Sequence, residues 1–175
     1  MSENPQNNGV ADTGAPKAAA AGGAPVSPAG AAPAANPLAH LSTPFQTVDY
    51  ALKGWHLEAV VAPSQVVSAA RELDREGFSM DTITGVDWMA AGEMEVVYDY
   101  FHAGKPLRVV VRTRVPRDNP EVPTISGVFP GANWHEREAH DFFGIRFAGH
   151  PDLSPFLLPE DATYHPLRKD FTACS

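Results

Sequence analysis

The chain has a single cysteine, Cys174, among 175 residues. One thiol cannot close an internal disulfide, and it cannot hold an iron–sulfur cluster, which typically takes four ligands. Basic residues are also scarce, since 13 Lys and Arg stand against 21 Asp and Glu for a formal net charge of −8. Phosphate contacts need a basic face, so nucleic acid is not expected as a partner. No run of about 18 apolar residues occurs, and nothing reads as a bilayer span. The N-terminus lacks both a basic start and an uninterrupted apolar core, so it does not read as a signal peptide. No glycine-rich loop joins a strand to a helix at the spacing of a phosphate or dinucleotide cradle, and no serine sits in a G-x-S-x-G elbow. Together these absences predict a cytoplasmic chain without a nucleotide site of its own, which reaches a membrane only through partners.

Composition then divides the chain. Residues 1–44 are mostly Ala, Pro, Gly and Asn with few large apolar groups. Such a segment cannot offset its ordering entropy by burial, and a disordered arm is predicted. Residues 45–148 read as one domain. His56 to Ala62 has a strand pattern, and Pro63-Ser64 opens a helix with Val66, Val67, Ala70 and Leu73 on one face, closed by Gly77. Phe78 to Trp88 is a second strand. Met94 to His102 and Leu107 to Val115 flank the turn HAGKP and form a hairpin. In the last strand Leu107, Val109, Val111, Thr113 and Val115 share one face, against Arg108, Val110, Arg112 and Arg114 on the other. One face therefore packs and the other stays polar. Pro116 to Pro123 reads as a loop, and Thr124 as the cap of a short helix through Phe129. The fold class is α+β, a mostly antiparallel sheet with helices on one face, followed by an extended irregular C-terminal tail at 149–175.

The richest stretch is Trp134 to Phe171. Asn133 is placed to cap a helix, with Glu136 three residues on reaching back and Gly144 ending it. Helical rotation sets Arg137 beside Asp141, Glu136 beside His140, and Glu138 over Asp141 and Phe142. Two readings stay open: an exposed, salt-bridged face, or a fixed network of Arg137 with the acids that shapes the turn at Gly144 and the tail. The tail itself is irregular, broken by Pro151, Pro155, Pro159 and Pro166, yet it carries Leu153, Phe156, Leu157, Leu158, Leu167 and Phe171. An irregular segment this apolar needs a surface to lie on, either its own domain or another subunit. Within it Arg168 offers a planar fork for carboxylates, Lys169 a point charge and Asp170 an acceptor, flanked by Pro166, Leu167 and Phe171 as apolar anchors. That mixture suits an interface core with a charged rim.

Four histidines, His135, His140, His150 and His165, invite a metal reading. HEREAH looks like a zinc-protease helix, but that chemistry needs histidines four apart, whereas His135 and His140 are five apart and diverge around the helix. A site built from His140, His150, His165 and Asp152 remains as an alternative, and would make the chain a small metalloenzyme.

ERE at Glu136–Glu138, Asp141, Phe142 and Phe143, Gly144 and Ile145, GHPDL at Gly149–Leu153, LLPED at Leu157–Asp161 and HPLRKDF at His165–Phe171 occur in one order. This set strongly resembles the 30 kDa subunit of respiratory complex I, the C subunit of bacterial NADH:quinone oxidoreductase. The same subunit type occurs in energy-converting, membrane-bound nickel–iron hydrogenases, whose branch His135 and His140 resemble at least as much. The resemblance implies a structural subunit without catalytic residues on the cytoplasmic face of the bacterial inner membrane. It implies docking on a 49 kDa-like or hydrogenase large subunit beside an iron–sulfur subunit, through Glu136, Arg137, Glu138, Asp141, Gly144, His150, Pro151, Asp152, His165, Pro166, Leu167, Arg168, Lys169 and Asp170. No cofactor is expected on this chain. Iron–sulfur clusters, with flavin and NADH or nickel–iron, would lie on other subunits of the complex.

Overall fold

The computed structural model describes residues 35–172. Cys174 and most of the predicted arm lie outside them. The last ten residues assigned to that arm do not follow the prediction. Residues 35–44 form turns that fold onto the domain, with Leu38 only 3% exposed, Thr43 N–H donating to Glu72 at 3.1 Å and Asn36 Nδ2 donating to the Phe45 carbonyl at 2.7 Å. Leu38 is a rare large apolar residue in an otherwise small-residue segment, and its burial offsets the cost of ordering its neighbours.

Alternation of apolar and polar residues builds one sheet of five strands. The strands are β1 (Gln46–Thr47), β2 (Leu57–Val60), β3 (Phe78–Trp88), β4 (Glu93–His102) and β5 (Arg108–Pro116), in the order β1-β2-β5-β4-β3. Only the β2–β5 pair is parallel, because the connection between them passes through the rest of the sheet. Met94, Val96, Tyr98 and Tyr100 of β4 and Val109, Val111 and Val115 of β5 point to one buried face. Three helices punctuate the described residues: α1 (Tyr50–Lys53), α2 (Val66–Arg75) and α3 (Ala132–Phe143). Val66, Ala69, Ala70 and Leu73 of α2 and Ala132 and Ala139 of α3 join the strand residues in a single core. Full burial of a side chain such as Leu73 contributes about 2 kcal/mol.

The opposite face is polar, as the arginines of β5 predict, and it is cross-linked. Arg108 bridges Asp99 at 3.1 Å and also Asp81, while Arg114 meets Glu93 at 3.0 Å. Glu95 is buried on this face because Trp88 Nε1 donates to it at 2.9 Å and Arg112 and Arg114 both approach it at 3.5 Å.

Three local readings are corrected. The loop expected over Pro116–Pro123 contains β6 (Glu121–Pro123), which pairs in parallel with an unforeseen β7 (Arg146–Ala148). Strands of three residues carry too little alternation to be read, and Val122 and Phe147 pair here because both are buried. Thr124 caps a turn rather than a helix, its Oγ1 accepting from Ser126 N–H at 3.1 Å. Asn133 lies inside α3 and Gly131 occupies the cap position without a side-chain cap bond. Glu136 is therefore free to turn inward.

Candidate partner interface

Two side chains on α3, Arg137 and Asp141, fix the tail to the domain, while a third, Glu136, turns into the core. Glu136 points into the core, where its carboxylate accepts Ile125 N–H at 2.8 Å and meets the Thr124 hydroxyl. Burial pushes its carboxyl up to about 7, although the Thr124 and Ile125 bonds oppose the shift. Arg137 lies on the outside. Its guanidinium donates to the Ser154 and Pro155 carbonyls, both at 3.1 Å, and packs over the rings of Trp134 and Phe156 at 5.4 and 5.1 Å. Asp141 takes three amides from the tail on one oxygen, Phe156 at 2.8 Å, Leu157 at 2.7 Å and Leu158 at 3.2 Å. Burial alone raises the Asp141 carboxyl, yet the Leu157, Phe156 and Leu158 amides together bring it below its ordinary value. The fixed network foreseen on this helix thus exists with different partners: Arg137 and Asp141 each hold tail backbone. Glu138 is exposed.

The C-terminal end of α3 receives the second half of the tail. Gly144 takes φ +72°, and its carbonyl-side neighbours are covered by HPLR. His165 Nδ1 bonds the Asp141 carbonyl at 2.8 Å, Leu167 N–H donates to Phe142 O at 3.1 Å, and Arg168 Nε donates to Phe143 O at 2.7 Å. These are the carbonyls that a helix end leaves without partners. Arg168 therefore caps a helix instead of gripping a carboxylate. A Cβ on Gly144 would lie 2.5 Å from His165 Nε2 and 2.9 Å from Arg168 Nη2.

The last anchor is one that sequence reading missed. Asp87, at the end of β3, accepts two bonds from Arg117 at 2.9 and 3.0 Å and the Lys169 amide at 2.8 Å, and Arg117 also reaches Asp170 at 2.6 Å. Arg117 holds the Asp87 carboxyl below its ordinary value, burial opposing and Lys169 N–H assisting. Asp87 stands in a strand and Arg117 in a loop, and neither position carries a signal until the tail is placed beside them. Asp170 has the acceptor role foreseen for it. The Lys169 ammonium lies 6.0 Å from the Trp88 ring.

Pro151 and Asp152 are exposed at the start of the tail, where Asp152 accepts Ser154 N–H at 2.9 Å. Pro166 is half-buried. The histidines of the metal alternative point to separate partners: His140 to the Ile145 carbonyl at 2.9 Å, His165 to Asp141 O and His150 to Asn133 O at 3.3 Å. Among the described residues no three His, Cys, Asp or Glu side chains are grouped to hold a metal ion.

The tail presents large apolar groups outward, beside the exposed Asp152, Glu160, Asp161, Lys169 and Asp170. Leu167 is 53% exposed and Leu157 52%, and Phe156, Tyr164 and Phe171 are exposed with them, as are Trp88, Met89 and Trp134. Clusters of exposed large apolar side chains such as this one are common in contact surfaces.

Known proteins resemble this arrangement in sequence and in fold. The family model described as respiratory-chain NADH dehydrogenase, 30 Kd subunit, matches residues 59–174. The chain is 42% identical over 120 residues to the C subunit of an NADH-quinone oxidoreductase from Roseiflexus sp. (strain RS-1), covering 65% of this chain and 68% of that one. It is 38% identical over 122 residues to the protein of the same name from Moorella thermoacetica, covering 68% and 82%. A chain of the membrane-bound sulfane sulfur reductase, an archaeal respiratory membrane complex, superposes with a TM-score of 0.67 at 29% identity, covering 77% of this chain and 81% of that one. The matched span contains the helix, the tail and every anchor between them, and the chain belongs to the 30 kDa subunit family of the respiratory-chain NADH dehydrogenase.

Proposed function

We propose that this protein is a structural, non-catalytic subunit of a membrane-attached, complex I-like oxidoreductase, and that it docks on the large 49 kDa-like subunit through the tail from Gly149 to Phe171. One observation carries the reading. The tail is tied down by Arg137, Asp141, Asp87 and the end of α3, yet Leu157, Leu167 and Phe171 face outward. A segment preorganised in this way loses little further entropy on binding. A neighbouring iron–sulfur subunit, and the clusters, flavin and nucleotide of the complex, would lie on other chains. The assembly would sit on the cytoplasmic face of the inner membrane, held there by its partners, since no helix among the described residues is long and apolar enough to cross a bilayer.

A second reading is the equivalent subunit of an energy-converting nickel–iron hydrogenase, and the likeness to a chain of an archaeal respiratory membrane complex named for sulfane sulfur reduction is compatible with a subunit of this kind serving another type of membrane complex. Affinity purification of the tagged chain from gently solubilised membranes, with mass spectrometry of what accompanies it, separates the two. Flavin- and NADH-binding subunits in the eluate establish the first, and a nickel-binding large subunit without them establishes the second. Recovery of the chain alone refutes both.

A further inference from the structure

Glu136 and His150 are a pair of titratable side chains with no role in holding an exposed surface, and both are 0% exposed. Their facing atoms, Oε2 and Nε2, are 3.7 Å apart, in electrostatic contact but beyond hydrogen-bond reach. The hydrogen bonds fix the state of the imidazole. Asp152 N–H donates to His150 Nδ1 at 3.1 Å, so Nδ1 is bare, and Nε2 carries the proton toward the Asn133 carbonyl at 3.3 Å. The Nε2–H thus lies between two acceptors, a backbone carbonyl that cannot titrate and a carboxyl group that can.

The surroundings decide what one proton does. From the 124–126 turn, Ile125 N–H bonds Oε1 and the Thr124 hydroxyl bonds Oε2, while Thr124 Oγ1 also accepts Ser126 N–H and pairs with Ser126 Oγ at 2.8 Å. From β4, the buried Tyr98 and Tyr100 face the same region, and the charge of Glu136 pushes both phenols further up. From α3 itself, Arg137 and His140 turn away to Ser154 and Ile145, and from the tail Asp152 is occupied by Ser154. No cation other than a protonated His150 faces Glu136 among the described residues.

We propose that Glu136 and His150 form a proton-operated switch at the root of the tail. With its proton in place, the Glu136 carboxylic acid donates to Thr124 Oγ1, and His150 Nε2–H stays on the Asn133 carbonyl. When Glu136 releases that proton to solvent, the Thr124 hydroxyl must turn to the new carboxylate, which competes with Asn133 for His150 Nε2–H. The imidazole then moves toward Glu136 and carries Gly149 to Ser154 with it.

The test is nuclear magnetic resonance of the full chain from about pH 5.5 to about pH 8.5, the span that brackets a neutral transition. The carboxyl carbon of Glu136, the ring nitrogens of His150 and the amides of Asp152 and Ser154 are followed together. The expected result is the bare-Nδ1 tautomer of His150 below the transition, with both amides moving at the midpoint of Glu136, near 7. In Glu136→Gln the amide transition disappears. A Glu136 midpoint in the ordinary carboxylate range, amides that do not move, or an amide transition that survives in Glu136→Gln each overturns the switch. Should Glu136→Gln not fold, the directly observed Glu136 midpoint and its agreement with the two amides still decide it. The readings are made without a partner, so their failure leaves docking through the tail untouched.

Discussion

The seating of the tail over the end of α3 is tested by one added methyl group. Gly144 and Gly54 both end helices in the left-handed region, at φ +72° and +81°. They differ in what a side chain would meet. At Gly54 a Cβ has nothing within 4 Å, whereas at Gly144 it would fall 2.5 Å from His165 Nε2 and 2.6 Å from His165 Cδ2. Gly54→Ala therefore carries the conformational penalty alone, about 1 kcal/mol. Gly144→Ala carries the same penalty and also displaces His165 and Arg168 from the Asp141 and Phe143 carbonyls. Those two bonds contribute about 1 kcal/mol each, so a total of about 3 kcal/mol is expected. Urea unfolding of the two variants against the parent measures both values. Amide exchange adds a local check: Leu167 N–H, bonded to Phe142 O at 3.1 Å, should lose protection in Gly144→Ala and keep it in Gly54→Ala. Equal costs for the two variants, with Leu167 protected in both, would refute the seating of HPLR on the helix end.

Other perturbations probe the remaining anchors. Because burial raises Glu136 to about 7 from an ordinary 4.5, the folded chain holds that proton more tightly than the unfolded one, and stability falls as pH rises between those values. Glu136→Gln should remove this slope and gain about 3 kcal/mol over the parent at pH 8, with no gain at pH 4, as read from melting at a series of pH values. Asp141 behaves oppositely, since its depressed carboxyl stabilises the fold above the ordinary carboxylate range and loses that effect as pH falls through its folded value. Asp141→Asn should cost about 2 kcal/mol at neutral pH and little in strong acid, with Phe156, Leu157 and Leu158 amides exchanging faster. Leu167→Glu changes a side chain that is mostly in solvent, so melting should stay within about 0.5 kcal/mol of the parent. Co-purification of the large subunit should drop sharply, and undiminished recovery would count against docking through the tail.

A division of labour emerges between the outside and the inside of the proposed interface. The groups that look most suited to grip a partner are already occupied, Arg137 and Asp141 by tail backbone and Arg168 by the Phe143 carbonyl of α3. What remains exposed on the tail is a set of apolar and aromatic groups, Phe156, Leu157, Tyr164, Leu167 and Phe171, with charged neighbours, set in a frame held by charge-assisted bonds.

Much of the sheet was legible in the order of residues. The alternation in the hairpin strands places their side chains on the observed faces, and the spacing of Val66, Ala70 and Leu73 places α2, because period and burial are properties of adjacent residues. Phe78–Trp88 reads as a strand, but its bulge between Met80 and Thr82, which shifts the phase of burial, does not show in the sequence. The ordered blocks from Glu136 to Phe171 likewise identify the family without coordinates. Tertiary structure alone decided the partners. Thr124 and Ile125 draw Glu136 inward, Asp141 collects amides fifteen and more residues away, and Asp87 meets Lys169 across 82 residues. Each of these bonds satisfies a buried polar group, and which group is buried depends on how the whole chain closes over it rather than on any local pattern.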